Sequence, residues 1–316
     1  SVGSAAHPLA LDMIGGTALS LSGAAAHVAS PSDLILGAGT VSGQLSIVSG
    51  GGISMATNPG GPLMAGSVDL AAQGDIGGAS PLLLDTQTGT IVSAAGNVNL
   101  SLANTGSAAP VDLTLGAANG SLTVVSDGSL AITDTAAAGD IDIAATSGDL
   151  ETGDLASDQG DIVLASAGAA TLGDLTATAG TISGTAMGDL SFADASSLGD
   201  VSLTAGGALS ALSVITQGDA VLAAGSIDIG AISAQMANMA AVGALSLGSA
   251  STAGDLSANA GSIAIGQADT GGTLSLVSLG DISLVDGEAQ GALVATAGGT
   301  FESHGNLQAQ GNAAIT

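Results

Sequence analysis

Residues 180–198 read GTISGTAMGDLSFADASSL, residues 199–217 GDVSLTAGGALSALSVITQ and residues 218–235 GDAVLAAGSIDIGAISAQ. Each block opens on a glycine, usually followed by aspartate, and then alternates aliphatic with small polar residues. Such units begin at Gly180, Gly199, Gly218, Met236, Gly254, Gly272 and Gly291, so the spacing holds nearly constant and slips by a single place from coil to coil. A near-constant period of this kind with strand-like alternation inside each unit is the mark of a solenoid.

Two strand signals occur in each unit, the second starting at Gly188, Gly207, Gly225, Gly243, Gly261, Gly280 and Gly299. Aligning the second strands predicts an inward ladder of Leu190, Leu209, Ile227, Leu245, Ile263, Ile282 and Phe301. A parallel ladder runs through Phe192, Ala211, Ile229, Leu247, Ile265 and Leu284. First strands align Ile182, Val201, Ala220, Leu256, Leu274 and Leu293, with Asn238 interrupting. Between these aliphatics the outward places hold Ser191, Ser210, Asp228, Ser246, Ala264, Ser283 and Glu302, a flat and hydroxyl-rich face. Period-two alternation of this kind belongs to half-buried strands. The corner glycines are expected to supply positive φ, and the Asp, Asn, Ser or Thr after them to bond turn amides.

The same grammar extends upstream through Gly120, Gly139, Gly160 and Gly180, with looser spacing. The expected fold is therefore all-β, a parallel β-helix (β-solenoid) with 18–19-residue coils. It forms one elongated domain over 1–316, with irregular, longer-looped coils over 1–119 and regular coils over 120–316. Taking about 4.8 Å per coil and roughly 17 units, the rod would be on the order of 80 Å long.

Charge narrows the partners. The chain has no Lys or Arg, 27 Asp plus Glu, and a formal net charge of −27. Phosphate neutralisation needs basic side chains, so nucleic acid and anionic membrane surfaces are excluded as partners. No apolar run approaches the length of a membrane-spanning helix, so no membrane insertion is expected. With no cysteine there is no disulfide or thiolate chemistry. The absence of Lys and Arg removes every trypsin site, which suits an extracellular or cell-surface location, in the class of Gram-negative secreted repeat proteins. No basic segment precedes an apolar one at the N-terminus, so a signal peptide is either missing or removed.

Chemistry-bearing residues are sparse. His7 and His27 lie one coil apart and could stack, or be ordinary loop residues; His304 is remote. Carboxylates are dense from Asp134 to Asp161. Asp140 and Asp161 follow successive unit glycines and should meet at one corner, with Asp149 and Asp154 on other turns and Asp142 in the same stretch; Asp200 and Asp219 form a second adjacent pair. Oxygen-rich clusters without basic partners suit calcium, and equally a solvated acidic edge. Calcium is thus the one cofactor the sequence admits. A carbohydrate-active enzyme stands third among the readings, since aromatic platforms and basic residues are lacking, and no catalytic residue is assigned.

The units Gly188–Phe192 (GDLSF), Gly199–Leu203 (GDVSL) and Gly280–Leu284 (GDISL) resemble the repeat regions of filamentous-haemagglutinin-like exoproteins, well over about Gly120 to Thr316 and loosely before. That resemblance implies a right-handed parallel β-helix, exported by a partner transporter and used in attachment or biofilm. Of that family's secretion-domain motifs only Asn58-Pro59-Gly60 has a counterpart. Apolar residues run to both ends: Leu9, Leu11, Leu19 and Leu21 at one, Phe301, Leu307 and Ile315 at the other. Head-to-tail stacking of copies into a filament of surface or biofilm matrix is the leading functional expectation. The alternative is the stalk of a large secreted adhesin; extracellular polysaccharide is a further candidate partner.

Overall fold

The computed structural model describes residues 2–12, 16–103, 111–115 and 119–316. It is all-β, with parallel strands stacked into a β-solenoid of about 15 turns. Contacts divide the chain into two compact units, 1–168 and 169–316.

In the second unit the aligned aliphatics stack in register as the repeat predicts. Leu190 pairs with Leu209, Leu209 with Ile227, Ile227 with Leu245, Leu245 with Ile263, Ile263 with Ile282, and Ile282 with Phe301. From Leu190 to Ile282 these side chains are essentially inaccessible to solvent. Each such burial stabilises the fold by roughly 1.5–3 kcal/mol relative to exposure.

Three features differ from the sequence reading. First, the second strand in the coils from Leu190 to Ala289 is long, eight or nine residues. The long second strand, such as Ser226–Ala234 or Ala244–Thr252, bends after its second inward aliphatic and sends a third ladder inward: Ala195, Val214, Ile232, Ala250 and Ala268. The bend falls at Gly230, Gly248 and Gly266, where a Cβ would run into the carbonyl oxygen of the residue one coil back.

Second, Asn238 does not interrupt the first-strand ladder. Ala237 takes the inward place between Ala220 and Leu256, and Asn238 faces solvent between Val221 and Ser257. The reason lies at the corner before it. Gln235, not Met236, occupies the glycine position, its N–H donating to Gly218 O and its O accepting from Gly254 N, both at 2.7 Å. That corner is one residue shorter, so the inward residue arrives one place earlier.

Third, the single-place slip in the period has a local origin. Met187, Gly206, Val242, Leu279 and Gly298 are extra residues at the first corner, bulged outward; the coils turning at Gly225 and Gly261 lack one. Val242 and Leu279 are accordingly 86% and 85% exposed.

The first unit follows the same plan. Val98, Leu122, Ile141 and Ile162 form one ladder, and Leu100, Val124, Ile143 and Leu164 its neighbour. The coil beginning at Ile141 has three separate, short strands, Ile141–Ala145, Leu150–Thr152 and Leu155–Ser157. Further upstream the coils lengthen, as the paired residues Leu45 and Val68, then Val98 and Leu122, show by their wider separation in the chain. A register shift between Val41 and Gln44 marks a bulge in the strand Gly39–Ser49. These longer coils explain why about 15 turns form where a uniform short period would give more.

Many coils also bury a hydroxyl at the last inward place before a corner. Ser157 donates to Gly139 O at 2.9 Å, Thr252 to Gly254 O at 3.0 Å, and Ser278 to Gly261 O at 3.0 Å. At Gly254 and Gly261 the hydroxyl is a second donor, because the same carbonyl also accepts the backbone N–H of Gly272 or Gly280 on the next coil. Thr152 is the exception. It is buried in a column with Leu113 and Ile132, and its Oγ1 has no hydrogen-bond partner among the described residues.

Two outcomes follow for thermal or urea unfolding. Leu245→Ala is expected to cost about 2–5 kcal/mol, against less than about 0.5 kcal/mol for Leu212→Ala, whose side chain is exposed. Thr152→Val, which replaces an unsatisfied buried hydroxyl with a methyl of similar shape, is expected to stabilise the protein by about 1 kcal/mol.

Candidate functional site

The corner that opens each coil shows why glycine is so often followed by aspartate. The aspartate carboxylate lies alongside the next coil, and its Oδ1 accepts the amide of the residue occupying the same place there. Asp140 accepts from Asp161 N at 3.0 Å, and Asp200 from Asp219 N at 2.8 Å. Elsewhere Asp134 accepts from Asp154 N, Asp189 from Ala208 N, and Asp255 from Thr273 N, at 3.0, 2.8 and 2.6 Å. Asn97 and Ser121 fill the role without charge, accepting from Ser121 N at 2.8 Å and Asp140 N at 3.1 Å.

This arrangement also sets the role of the glycines. Among the described residues positive φ occurs only at Gly3, Gly16, Gly23, Gly60, Gly61, Gly77 and Gly78, none in the regular half, so the expectation of left-handed corners there is wrong. Glycine is needed for space. A Cβ on Gly207 would overlap the Asp189 Oδ1, and one on Gly160 or Gly218 would meet both the carboxylate and the backbone of the preceding coil.

The carboxylates singled out from sequence therefore divide. Asp140 with Asp161, and Asp200 with Asp219, are brought together, each pair joined by a carboxylate–amide hydrogen bond. Asp149 and Asp154 sit at two other corners, their amides held by Ser129 Oγ and Asp134 Oδ1. Asp142 faces outward within its strand, between Thr123 and Val163. Among the described residues no three His, Cys, Asp or Glu side chains converge as a cation site would require.

One carboxylate is clearly perturbed. Asp281 accepts both the backbone N–H of Thr300, at 2.8 Å, and its hydroxyl, at 2.9 Å. These two bonds, the backbone one foremost, hold Asp281 below the usual carboxylate range against a small opposing desolvation.

His7 and His27 do not stack. His27 lies in the strand Ala26–Ser30, beside Val2 and Gly3, while His7 closes a turn onto Ser4. His304 approaches Glu302 at 3.7 Å with both side chains mostly exposed.

At the ends, Leu9 pairs with Val28 and is 38% exposed, Leu11 and Leu19 are half-buried, and Leu21 is fully buried within the first unit. Phe301 and Leu307 are half-buried and Ile315 is 46% exposed.

Surface concavities are shallow. One of about 400 Å³ has a floor of Ala223 and Ala240 between Thr204 and Asn259. Another, of about 580 Å³, lies where Asp112, Ala131 and Glu151 stand in register.

No protein-family model matches this chain, and no curated protein or solved structure matches it either. Its fold is compatible with β-helix repeat proteins as a class.

Sequence reasoning missed the buried hydroxyls and the direction of the aspartate bonds. The signal was present: Ser or Thr recurs shortly before the corner glycine at Ser157, Thr216, Thr252 and Thr270.

Gly207 and Asp189 offer a direct test, because a Cβ at Gly207 meets the carboxylate and little else. Gly207→Ala and Asp189→Ala are each expected to destabilise by about 1–2 kcal/mol. The double variant should cost less than their sum by about 1 kcal/mol. Strict additivity in a urea-unfolding cycle would contradict the close approach.

Proposed function

We propose that the protein is an extracellular structural element whose coils continue into further coils, copies adding head to tail to build a filament of surface or biofilm matrix. The observation that carries this reading is the coil Phe301–Ile315. Its strands Phe301–Ser303, Leu307–Ala309 and Ala313–Ile315 hydrogen-bond the preceding coil along one side. Their inward residues stay partly exposed, whereas Ile282 and Ala295 one coil earlier are fully buried. Another coil laid on this one would complete its backbone ladder and bury Phe301, Leu307 and Ile315. Leu9, Leu11 and Leu19 are the complementary surface in this reading.

An extracellular, Gram-negative setting is supported by the lack of Lys and Arg, which leaves no trypsin site, and by the resemblance of Gly188–Phe192 and its repeats to filamentous-haemagglutinin-like exoproteins. A role without nucleic acid follows from the same absence of basic side chains. No described helix is long and apolar enough to cross a membrane. We assign no catalytic residue. The outward serine face is where polysaccharide would be contacted, and calcium, if used, would act on the Asp134–Asp161 carboxylates.

A second reading has the same observation behind it. In the stalk of a large adhesin, neighbouring coils of one chain would cover the coil Phe301–Ile315, and the resemblance to secreted exoproteins favours it equally.

Electron microscopy and sedimentation of the purified chain separate the two. Filament formation predicts concentration-dependent fibres with an axial repeat of about 4.8 Å. Monodisperse particles at all concentrations would remove self-assembly and leave the stalk. Fibres that form only with millimolar calcium would make the Asp134–Asp161 carboxylates a cation site.

A further inference from the structure

We propose that Asp281 is an acid-released latch that holds the coil starting at Thr300 onto the coil before it. Its Oδ1 receives two donors from a single residue, Thr300 N–H at 2.8 Å and Thr300 Oγ–H at 2.9 Å. Asp134, Asp140, Asp189, Asp200 and Asp255 each accept the backbone N–H of the residue opposite; Asp281 takes the hydroxyl of that residue as well. Gly299 brings the chains close enough, since a Cβ there would overlap the same oxygen.

Beyond its backbone bonds, such as Ile282 N–H to Thr300 O at 2.9 Å, this coil buries little side-chain surface. Its first strand, Phe301–Ser303, is short, with Phe301 half-buried and Glu302 and Ser303 exposed. Strand Leu307–Ala309 is equally short, and Asp286 Oδ1 caps the corner before it through Asn306 N at 2.9 Å. Short strands with few buried side chains open at low cost, so one hydrogen bond shifts their population appreciably.

The carboxylate accepts these bonds fully only when ionised. Because the two Thr300 donors depress its proton affinity, the latch is complete above the ordinary aspartate range and is lost as pH falls through its lowered value. The place next to Asp281 on the preceding coil is Ser262, which carries no charge. Titratable groups on the surrounding strands are Asp269 on Ser262–Thr270, Asp286 and Glu288 on Ile282–Ala289, and Glu302 on Phe301–Ser303, with His304 following. Strands Leu274–Ser278, Leu293–Ala297 and Ala313–Ile315 have none. Asparagine at this place would keep an acceptor oxygen that does not titrate, as Asn97 does with Ser121 N at 2.8 Å.

Hydrogen exchange by mass spectrometry on the full chain, from neutral pH to about pH 1.5, reads the latch directly once intrinsic exchange is corrected. In the unsubstituted protein, protection over residues 300–303 should fall by about tenfold as pH drops through the lowered Asp281 value, the size expected for one charge-assisted hydrogen bond, while Ala244–Thr252 stays protected. Asp281→Asn should keep its protection over the same range, since every other titratable group is unchanged. Asp281→Ala should lose it already at neutral pH. The latch is overturned if Asp281→Asn loses protection in parallel with the unsubstituted protein, if that protein stays protected throughout, or if Asp281→Ala matches it at neutral pH.

Discussion

Everything in this molecule depends on successive coils meeting backbone to backbone at their corners. Down one edge of the second unit each glycine donates to the glycine before it, from Gly299 through Gly280, Gly261, Gly243, Gly225 and Gly207 to Gly188, at 2.7–2.9 Å. At Gly207 and Gly299 a Cβ would run into the preceding coil's aspartate, whereas the shortened corner at Gln235 admits a side chain. Glycine follows from space, and the aspartate after it follows from the amide that the next coil presents. The strands between corners then need only be short and alternating, because their register is already set at both ends. Insertions are tolerated where they bulge outward, as at Val242 and Leu279, and not within the ladders.

The same constraint explains much of an unusual charge. Without Lys or Arg the corner carboxylates meet backbone N–H groups where other proteins would place salt bridges. Hydrogen bonds from amides to carboxylates are stronger than neutral ones, and those along the corners are exposed enough to keep much of their solvation. The role is one of acceptance, not charge pairing, which is why Asn97 and Ser121 substitute within the same column. Carboxylates that look like a cation cluster in sequence are, at Asp140 and Asp200, already engaged in holding coils together.

The parallel solenoid and most of its inward residues were legible because side-chain alternation repeats with the coil, and Leu190 through Phe301 line up on spacing alone. The third inward ladder was not, because the second strand runs on into it without a turn signal stronger than one glycine, at Gly230, Gly248 or Gly266. Asn238 was misplaced for a related reason: a repeat counted from Met236 conceals that Gln235 already occupies the corner. The corner glycines were assigned a dihedral role from their residue type, but what they relieve is contact with a coil a full turn away in the chain, which no local pattern displays. The buried hydroxyls escaped notice because serine and threonine also fill the outer face, and only their place beside the corner separates the two sets.

The register through Ala237 is where the account is most exposed, and the lack of native cysteine makes it accessible. Paired cysteines at Val221 and Asn238 would face outward on adjacent coils, within disulfide reach at a strand separation of about 4.8 Å. Under mild oxidation the Val221→Cys/Asn238→Cys protein should cross-link within the folded chain, and Val221→Cys/Met239→Cys, the pair a count from Met236 would place together, should not, because Met239 points into the core. The reverse pattern would mean that the repeat counts from Met236 after all, and that corner contacts do not set the stacking.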